Sequence, residues 1–298
     1  MSGFDASWLA LREPFDQAAR SEVLATRFVA ALAPLACPVL IDLGGGTAAN
    51  FRVLAPLIGR DQRWRLIDHD PKLIEQAIAT VADWAADRGW AIERPQPDQL
   101  VVLTPTSGRW ALGAESFDLS GPLQGLAFDR CDGVVTTAFL DLVSQVWVER
   151  FAIALAASRR PLLATLTVDG RRIWTPEHPV DRLIDEAFRR HQGGDKGFGP
   201  SLGVDAAQAT ARALEAHGFR IELRESDWRI GIGGAPQIEA ARHRAMLETM
   251  IDETAAVALQ AAPDQAPDIA RWRADRSDQL ERGQASFRVG HLDLLALA

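Results

Sequence analysis

The chain has 298 residues, 47% apolar and 24% charged, which is an ordinary globular composition with ample capacity for a buried core. Its 32 Lys and Arg against 40 Asp and Glu give a net charge of -8, and such a surface repels a phosphate backbone, so no nucleic-acid partner is expected. Cys37 and Cys131 stand far apart, which excludes a disulfide framework and a thiolate zinc site and points to a reducing, cytoplasmic compartment.

In chain order, residues Phe4 to Ala33 read as helix, since Trp8, Leu9, Phe15, Leu24, Phe28 and Leu32 recur at helical spacing within an N-terminal segment 1–35. The N-terminus carries Asp5, Arg12, Glu13 and Asp16 where a secretory signal needs an apolar core. The longest apolar run, Phe28 to Ile41, contains Pro34 and Pro38 and is too short to span a bilayer, so no membrane partner is expected either. Pro38 to Leu43 is a first strand ending at Gly44-Gly45-Gly46, and Thr47 to Ile58 is a helix closed by Gly59. Arg63 to Asp68 is a second strand, after which Asp70 caps a helix that begins with Pro71 and runs to Gly89. The Thr104 to Gly108 cluster reads as a hairpin turn leading to a third strand, Trp110 to Phe117. Asp132 to Phe139 is a fourth strand, Trp147 to Ser158 a helix and Pro161 to Val168 a fifth strand. Asp205 then caps a helix ending at Gly218, and Phe219 to Trp228 and Ser286 to Leu297 are the last two strands. Between these lies a helical stretch, Pro236 to Gly283, which reads as a helical cap grafted onto the sheet.

The alternation predicts one α/β domain over 1–298: an open, mostly parallel seven-stranded sheet with helices on both faces and an antiparallel last pair. The strongest local feature is Val39-Leu40-Ile41-Asp42-Leu43-Gly44-Gly45-Gly46-Thr47, a buried strand feeding a glycine turn at the head of a helix. Asp42 decides the ligand. A pyrophosphate would meet a carboxylate there, whereas a ligand with an ammonium group and no phosphate would be attracted. S-adenosylmethionine is such a ligand, with two ribose hydroxyls and an adenine amine for further acceptors.

These motifs resemble those of the class I S-adenosylmethionine-dependent methyltransferases, over most of the chain. The resemblance is carried by Ile41 to Thr47 and by Leu66-Ile67-Asp68-His69-Asp70-Pro71. It implies that Asp42, Gly44, Gly45 and Gly46 contact the methionine part, that Asp68 takes the ribose hydroxyls, and that Asp118, after Phe117, accepts from the adenine amine. His69 would lie at the cofactor's edge. Thr136 to Leu142, with Thr137, Ala138 and Asp141, would lie beside the transferred methyl. The family's third glycine is Ala48 here.

On the substrate side, the loop after the fifth strand carries Trp174, Pro176 and His178, then a helix from Pro179, then His191-Gln192-Gly193-Gly194-Asp195-Lys196-Gly197. Loops leaving the carboxyl ends of such strands build the acceptor pocket. His191 is therefore a candidate base for a protonated acceptor, Lys196 a candidate anchor for an anionic one, and Trp174, Asp195 and Asp141 candidate substrate contacts. A solvated helix end explains the same loop equally well. No spacing suggests a metal site. The expected activity is methyl transfer to oxygen or nitrogen of a small molecule. The alternatives are a nicotinamide-dependent oxidoreductase, because Gly44-x-Gly46-x-x-Ala49 with Asp68 meets the loose dinucleotide pattern, and a non-catalytic cofactor-binding protein. The oligomeric state is not written in the sequence.

Overall fold

Apolar runs that alternate faces build the centre of the sheet. In the computed structural model, which describes residues 6–104, 106–233 and 236–298, strand β1 (Val39–Leu43) is buried from Leu40 onward. Leu40 packs into one hydrophobic layer and Ile41 into the other, as the two-residue period of a strand requires. β1 runs parallel to β2 (Gln62–Asp68) on one side and to β6 (Gly133–Thr137) on the other. Beyond β2 lies β5 (Gly108–Ser116), also parallel. Beyond β6 come β7 (Leu162–Thr175), parallel, then β10 (Ser286–Leu297), antiparallel, and β8 (Arg220–Glu225), antiparallel to β10. The order β5-β2-β1-β6-β7-β10-β8 realises the expected seven-stranded, mostly parallel sheet with a reversed last pair.

Three strands go beyond that expectation. β3 (Ala91–Glu93) and β4 (Gln99–Thr104) add an antiparallel extension at the β5 edge, and β9 (Trp228–Gly231) pairs with the first residues of β10. The sheet thus has ten strands and stays open. The sixth strand expected over Phe219 to Trp228 is two strands, because Ser226 and Asp227 interrupt it. The Ser226 amide bonds the His291 carbonyl, and the Asp227 carboxylate takes Arg171 and Arg288. The turn read at Thr104 to Gly108 joins β4 to β5, with Pro105 outside the described residues.

Helices cover both faces. α2 (Glu22–Ala31), α3 (Ala49–Ile58) and α4 (Pro71–Ala86) close one layer over Phe28, Phe51, Trp64 and Trp110. α5 (Gln145–Ser158) and α7 (Ala206–Ala216) close the other over Trp147, Phe151 and Leu214. The single N-terminal helix expected from Phe4 is two helices, α1 (Ala6–Ala19) and α2, broken where Ser21 caps α2 through the Leu24 amide; Phe4 itself lies outside the described residues. Asp70 caps α4 through the Lys72 amide, as its position before Pro71 predicts. Asp205 occupies the cap position of α7 but makes no side-chain cap bond.

The largest departure is the length of β7. It continues past Val168 to Thr175, so that its outer half, β9 and the start of β10 form a ribbon projecting from the sheet. The helical stretch expected over Pro236 to Gly283 is α8 (Gln237–Ala261) and α9 (Ala266–Glu281), which with α6 (Asp181–Gln192) and α1 enclose a third core on that ribbon. Among the described residues no helix is long and apolar enough to cross a membrane.

Candidate active site

Strand order reverses direction at β1, whose neighbours leave on opposite sides, and a crevice opens at the carboxyl ends of strands at such a point. Asp42, Asp68, Phe117 and Thr137 stand at or just beyond the carboxyl ends of four adjacent strands, β1, β2, β5 and β6. The glycine turn lies between them. Gly44 and Gly46 have positive φ of 62° and 51°, a conformation in which a Cβ is costly. Gly45 is needed for space, since a Cβ there would fall 2.5 Å from Leu66 Cγ. The turn is tied to β2: the Gly45 amide donates to the Ile67 carbonyl at 3.0 Å and the Gly46 amide to Asp68 Oδ2 at 3.0 Å. Ala48, where the resemblance leads one to expect a third glycine, also has positive φ at 64°, so the chain keeps the glycine conformation under a residue that carries its strain.

Electrostatics single out Asp42. Its side chain is buried, Asn50 Nδ2 donates to its Oδ1 at 2.8 Å, and its Oδ2 has no partner among the described residues. Burial outweighs the Asn50 bond and the Arg20 charge, and raises its pKa to about 7. A buried carboxyl oxygen left bare costs about 1–3 kcal/mol. Asp68 is also buried; the Asp70 amide donates to its Oδ1 at 3.0 Å, and each oxygen keeps a lone pair free beyond these backbone bonds. His69 and Asp118 are exposed, with His69 Nδ1 3.5 Å from Asp68 Oδ1, and the Asp118 pKa is lowered by bonds from Ser120.

Sequence reasoning missed the network beneath the turn. Arg20 donates to Asn50 Oδ1 at 2.6 Å and to Thr137 Oγ1 at 2.9 Å, and Thr137 lies 2.8 Å from Thr165 Oγ1. Asp293 on β10 accepts from the Ser21 and Leu166 amides, fixing α2 against β7. α1 lies over the turn: Leu9 Cδ1 is 3.4 Å from where a Gly46 Cβ would be, and Glu13 pairs with Arg52 of α3 at 2.6 Å. Arg12 forks onto Asp16 at 2.9 and 3.2 Å and sits over the Trp228 ring, 4.9 Å from its centroid. Arg12, Asp16 and Arg20 recur every four positions, with Glu13 three before Asp16, a polar stripe that the sequence does carry.

The segment after β6 completes the rim. Ala138 has positive φ, the Phe139 ring lies 3.0 Å from the Gly44 Cβ position, and Asp141 has a buried Oδ1 without a partner among the described residues. Desolvation raises the Asp141 pKa to about 6, with Arg12 opposing. His291 on β10, also missed, is buried against Trp228 with ring centroids 5.0 Å apart, its Nδ1 is bare, and burial holds its pKa at about 3, so it is neutral.

The loop expected to carry substrate contacts is differently placed. Trp174 is not in a loop: it is a buried residue of β7, stacked on Phe287 at 3.8 Å inside the third core. Asp195 Oδ1 is committed to its own turn through the Gly197 and Gly199 amides, and Lys196 Nζ donates to the His191 carbonyl at 3.4 Å. Burial and Lys196 together lower the His191 pKa. The loop does border the site, since Phe198 packs edge-on against Phe139 at 5.5 Å and the Leu202 amide donates to the Val143 carbonyl. Two open concavities lie elsewhere, one between α1, β9 and α8 and one along the outer half of β7. Among the described residues no group of three His, Cys, Asp or Glu is placed to hold a metal.

The open, mostly parallel sheet with its reversed strand near the end, and a glycine turn at the switch point, make this a Rossmann-like α/β fold. No family model matches the sequence, and no curated protein matches it. Among solved structures the chain is similar to a cyclopropane-fatty-acyl-phospholipid synthase-like protein from Lactobacillus casei, at 14% identity over 98% of this chain and 94% of that one, with a TM-score of 0.47. It is also similar to a methyltransferase from Thiobacillus denitrificans in complex with S-adenosyl-L-homocysteine, at 12% identity over 99% of both chains and a TM-score of 0.43. A geranyl diphosphate methyltransferase in complex with SAM stands at 9% identity over 100% of this chain and 93% of that one, with a TM-score of 0.43. At such identities and scores the fold class rests on this chain's own strand order.

Proposed function

We propose that the protein is an S-adenosylmethionine-dependent methyltransferase acting on a small molecule. The observation that carries this is the bare Oδ2 of buried Asp42 beside a glycine turn at the switch point. A phosphate placed there would be repelled by Asp42 and Asp68, whereas an ammonium would satisfy the orphaned oxygen. The donor set fits the cofactor: Asp42 for the methionine ammonium, Gly44 to Gly46 for close approach, Asp68 for the ribose hydroxyls, His69 and Phe117 for the adenine edges and Asp118 for its amine. Thr137 and Ala138 line the methyl side. When bound, the cofactor supplies an activated methyl on a sulfonium; the protein aligns the acceptor in line with it and excludes water.

A nicotinamide-dependent dehydrogenase fits less well. Its sheet is parallel in the order 3-2-1-4-5-6, whereas here the last strand of the chain inserts antiparallel between β7 and β8. α8 and α9 serve in this reading as a cap on the acceptor side, and His191 and Lys196 border that side through their loop. Asp68→Ala tests the cofactor assignment: it removes acceptors for two hydroxyls, each worth about 1.5–3 kcal/mol, so calorimetric affinity for S-adenosylhomocysteine should fall at least about tenfold. An unchanged affinity overturns the ribose assignment.

A further inference from the structure

Arg20 lies at the junction of α1 and α2 and is 8% exposed. Three other arginines are buried among the described residues, Arg12, Arg52 and Arg276, and each ion-pairs with a carboxylate. Arg20 pairs with no carboxylate among the described residues. Its terminal nitrogens go to Asn50 Oδ1 at 2.6 Å and Thr137 Oγ1 at 2.9 Å, and its Nε is buried without a partner among those residues. For stability alone this is a costly arrangement, since an ion pair would offset more of the desolvation of the cation. The neighbouring Ser21 amide donates to Asp293 Oδ2 at 2.7 Å, which pins the junction and fixes where the guanidinium can reach.

The direction of each hydrogen bond in this network follows from Arg20, because a guanidinium only donates. Asn50 Oδ1 and Thr137 Oγ1 are therefore both acceptors toward it. Two oxygens 2.7 Å apart need a proton between them, so the single Thr137 hydroxyl proton goes to Asn50 Oδ1. The 2.8 Å contact of Thr137 with Thr165 Oγ1 is then donated by Thr165. Asn50 Oδ1 has both lone pairs filled, and the reverse orientation of the amide would set its NH2 against the guanidinium. Nδ2 is left facing Asp42 Oδ1 at 2.8 Å. An amide nitrogen does not accept, so whenever Asp42 is protonated its proton sits on Oδ2. That is the oxygen bare among the described residues, and the one assigned above to the cofactor's ammonium. Proton and ligand compete for one atom.

We infer that Arg20 is a positioning residue for the cofactor: by filling Asn50 Oδ1 it locks the Asn50 amide with Nδ2 on Asp42, and so keeps Oδ2 as the oxygen presented to the ligand's ammonium. This rests on the cofactor reading above. In this role Arg20 need not touch the ligand; it acts through Asn50 and, by its charge, on the ionisation of Asp42. Burial raises the Asp42 pKa to about 7, the Asn50 bond and the Arg20 charge hold it from rising further, and Asp68 pushes it up. Arg20 itself faces Asp16, Asp293 and Asp42, with Arg12 opposing, and burial lowers its pKa. Removing Arg20 withdraws both supports from Asp42, so the competing proton is held more tightly and the ammonium binds less well. On binding, that proton leaves to solvent.

The test titrates S-adenosylhomocysteine calorimetrically into the full chain and into Arg20→Met, at about pH 7 and about pH 8.5. No binding to the parent chain defeats the cofactor reading itself. With binding intact, the midpoint of the rise in affinity should move up by about one pH unit in Arg20→Met, so affinity should fall about fivefold near pH 7 and stay within about twofold near pH 8.5. A merely structural role would weaken both by the same factor; that result, or no loss at either pH, overturns the positioning role. Arg20→Lys keeps a cation that can donate to Asn50 Oδ1 and should recover most of the affinity near pH 7, whereas binding as weak as in Arg20→Met overturns the donor role. The loss caused by Arg20→Met should shrink in an Asn50→Ala background, and an undiminished loss overturns the relay through Asn50. Should the variants not fold, NMR of the parent chain with labelled asparagine decides. The Asn50 side-chain amide signals should shift as Asp42 titrates, and signals indifferent to pH overturn the lock.

Discussion

The helical cap and the glycine-turn site are both built around buried charge, and they treat it in opposite ways. In the cap, Arg276 is wholly buried; its terminal nitrogens meet both oxygens of Asp181 at 2.6 Å and the Pro176 carbonyl, while its Nε is bare among the described residues. Arg172 is likewise held by Asp185 and Thr254, with Phe188 and Phe287 under its guanidinium. At the glycine turn, the Asp42 carboxyl bonds only the neutral Asn50 amide and keeps its other oxygen bare among the described residues. Paired charge holds elements together and costs much when one partner is lost; unpaired charge costs the folded state and is recovered only when a ligand arrives. On the proposed reading, the cap's ion pairs hold elements together, and Asp42 is where a ligand would recover energy.

The strongest way to break this contrast is Arg276→Ala. It strands Asp181, which Trp272 Nε1 and the His178 amide also bond, so urea unfolding should show a loss of about 3 kcal/mol while S-adenosylhomocysteine affinity stays within twofold. A large loss of affinity would mean that cap and site are one unit. Next comes Gly45→Ala, whose Cβ would press on Leu66 behind the turn; we expect about 1–3 kcal/mol of destabilisation together with weakened cofactor binding. Unimpaired binding there would show that the turn need not be held so close to β2.

Asp42 gives a subtler separation. Its folded pKa of about 7 exceeds the ordinary 3.8, so its contribution to stability is fully present below pH 3.8 and is lost as pH rises through 7. Cofactor binding should run the other way. An ammonium prefers the carboxylate, so affinity should rise between pH 6 and 8, with Asn50, Arg20 and Asp68 the other groups facing Asp42. Asp42→Asn should flatten that rise and lower affinity at pH 8 by roughly tenfold, without loss of stability. A pH-independent affinity in the parent chain would remove Asp42 from the ammonium contact. The smallest effect is expected of Lys196→Ala, because among the described residues Nζ bonds only the His191 carbonyl: transfer should change by less than about twofold. A marked rise in KM would instead restore Lys196 as an acceptor anchor.

The features that the sequence made readable are local ones. The strand and glycine turn around Asp42, the Asp70 cap before Pro71, and the alternation that places β5, β2, β1, β6 and β7 all depend on residues a few positions apart. The outer half of β7 was not readable, because Asp169-Gly170-Arg171-Arg172 has the composition of a loop. Its backbone is strand because β10 pairs with it and helices bury Trp174. The site network escaped for a related reason. Arg20 reaches Thr137 across 117 positions and Trp228 reaches Asp16 across 212, separations at which sequence spacing carries no information. His291 reads as an isolated histidine in a strand until the fold sets it beside Arg12 and Trp228.

The central claim, that bare Asp42 and the glycine turn form a site for a cationic, phosphate-free adenosyl cofactor, is tested most directly by parallel calorimetric titrations of the full chain. S-adenosylmethionine and S-adenosylhomocysteine should bind at one site per chain with dissociation constants of roughly micromolar order, about -8 kcal/mol, and NAD should give no binding. Binding of NAD, or silence with both adenosyl compounds in a folded protein, would contradict it.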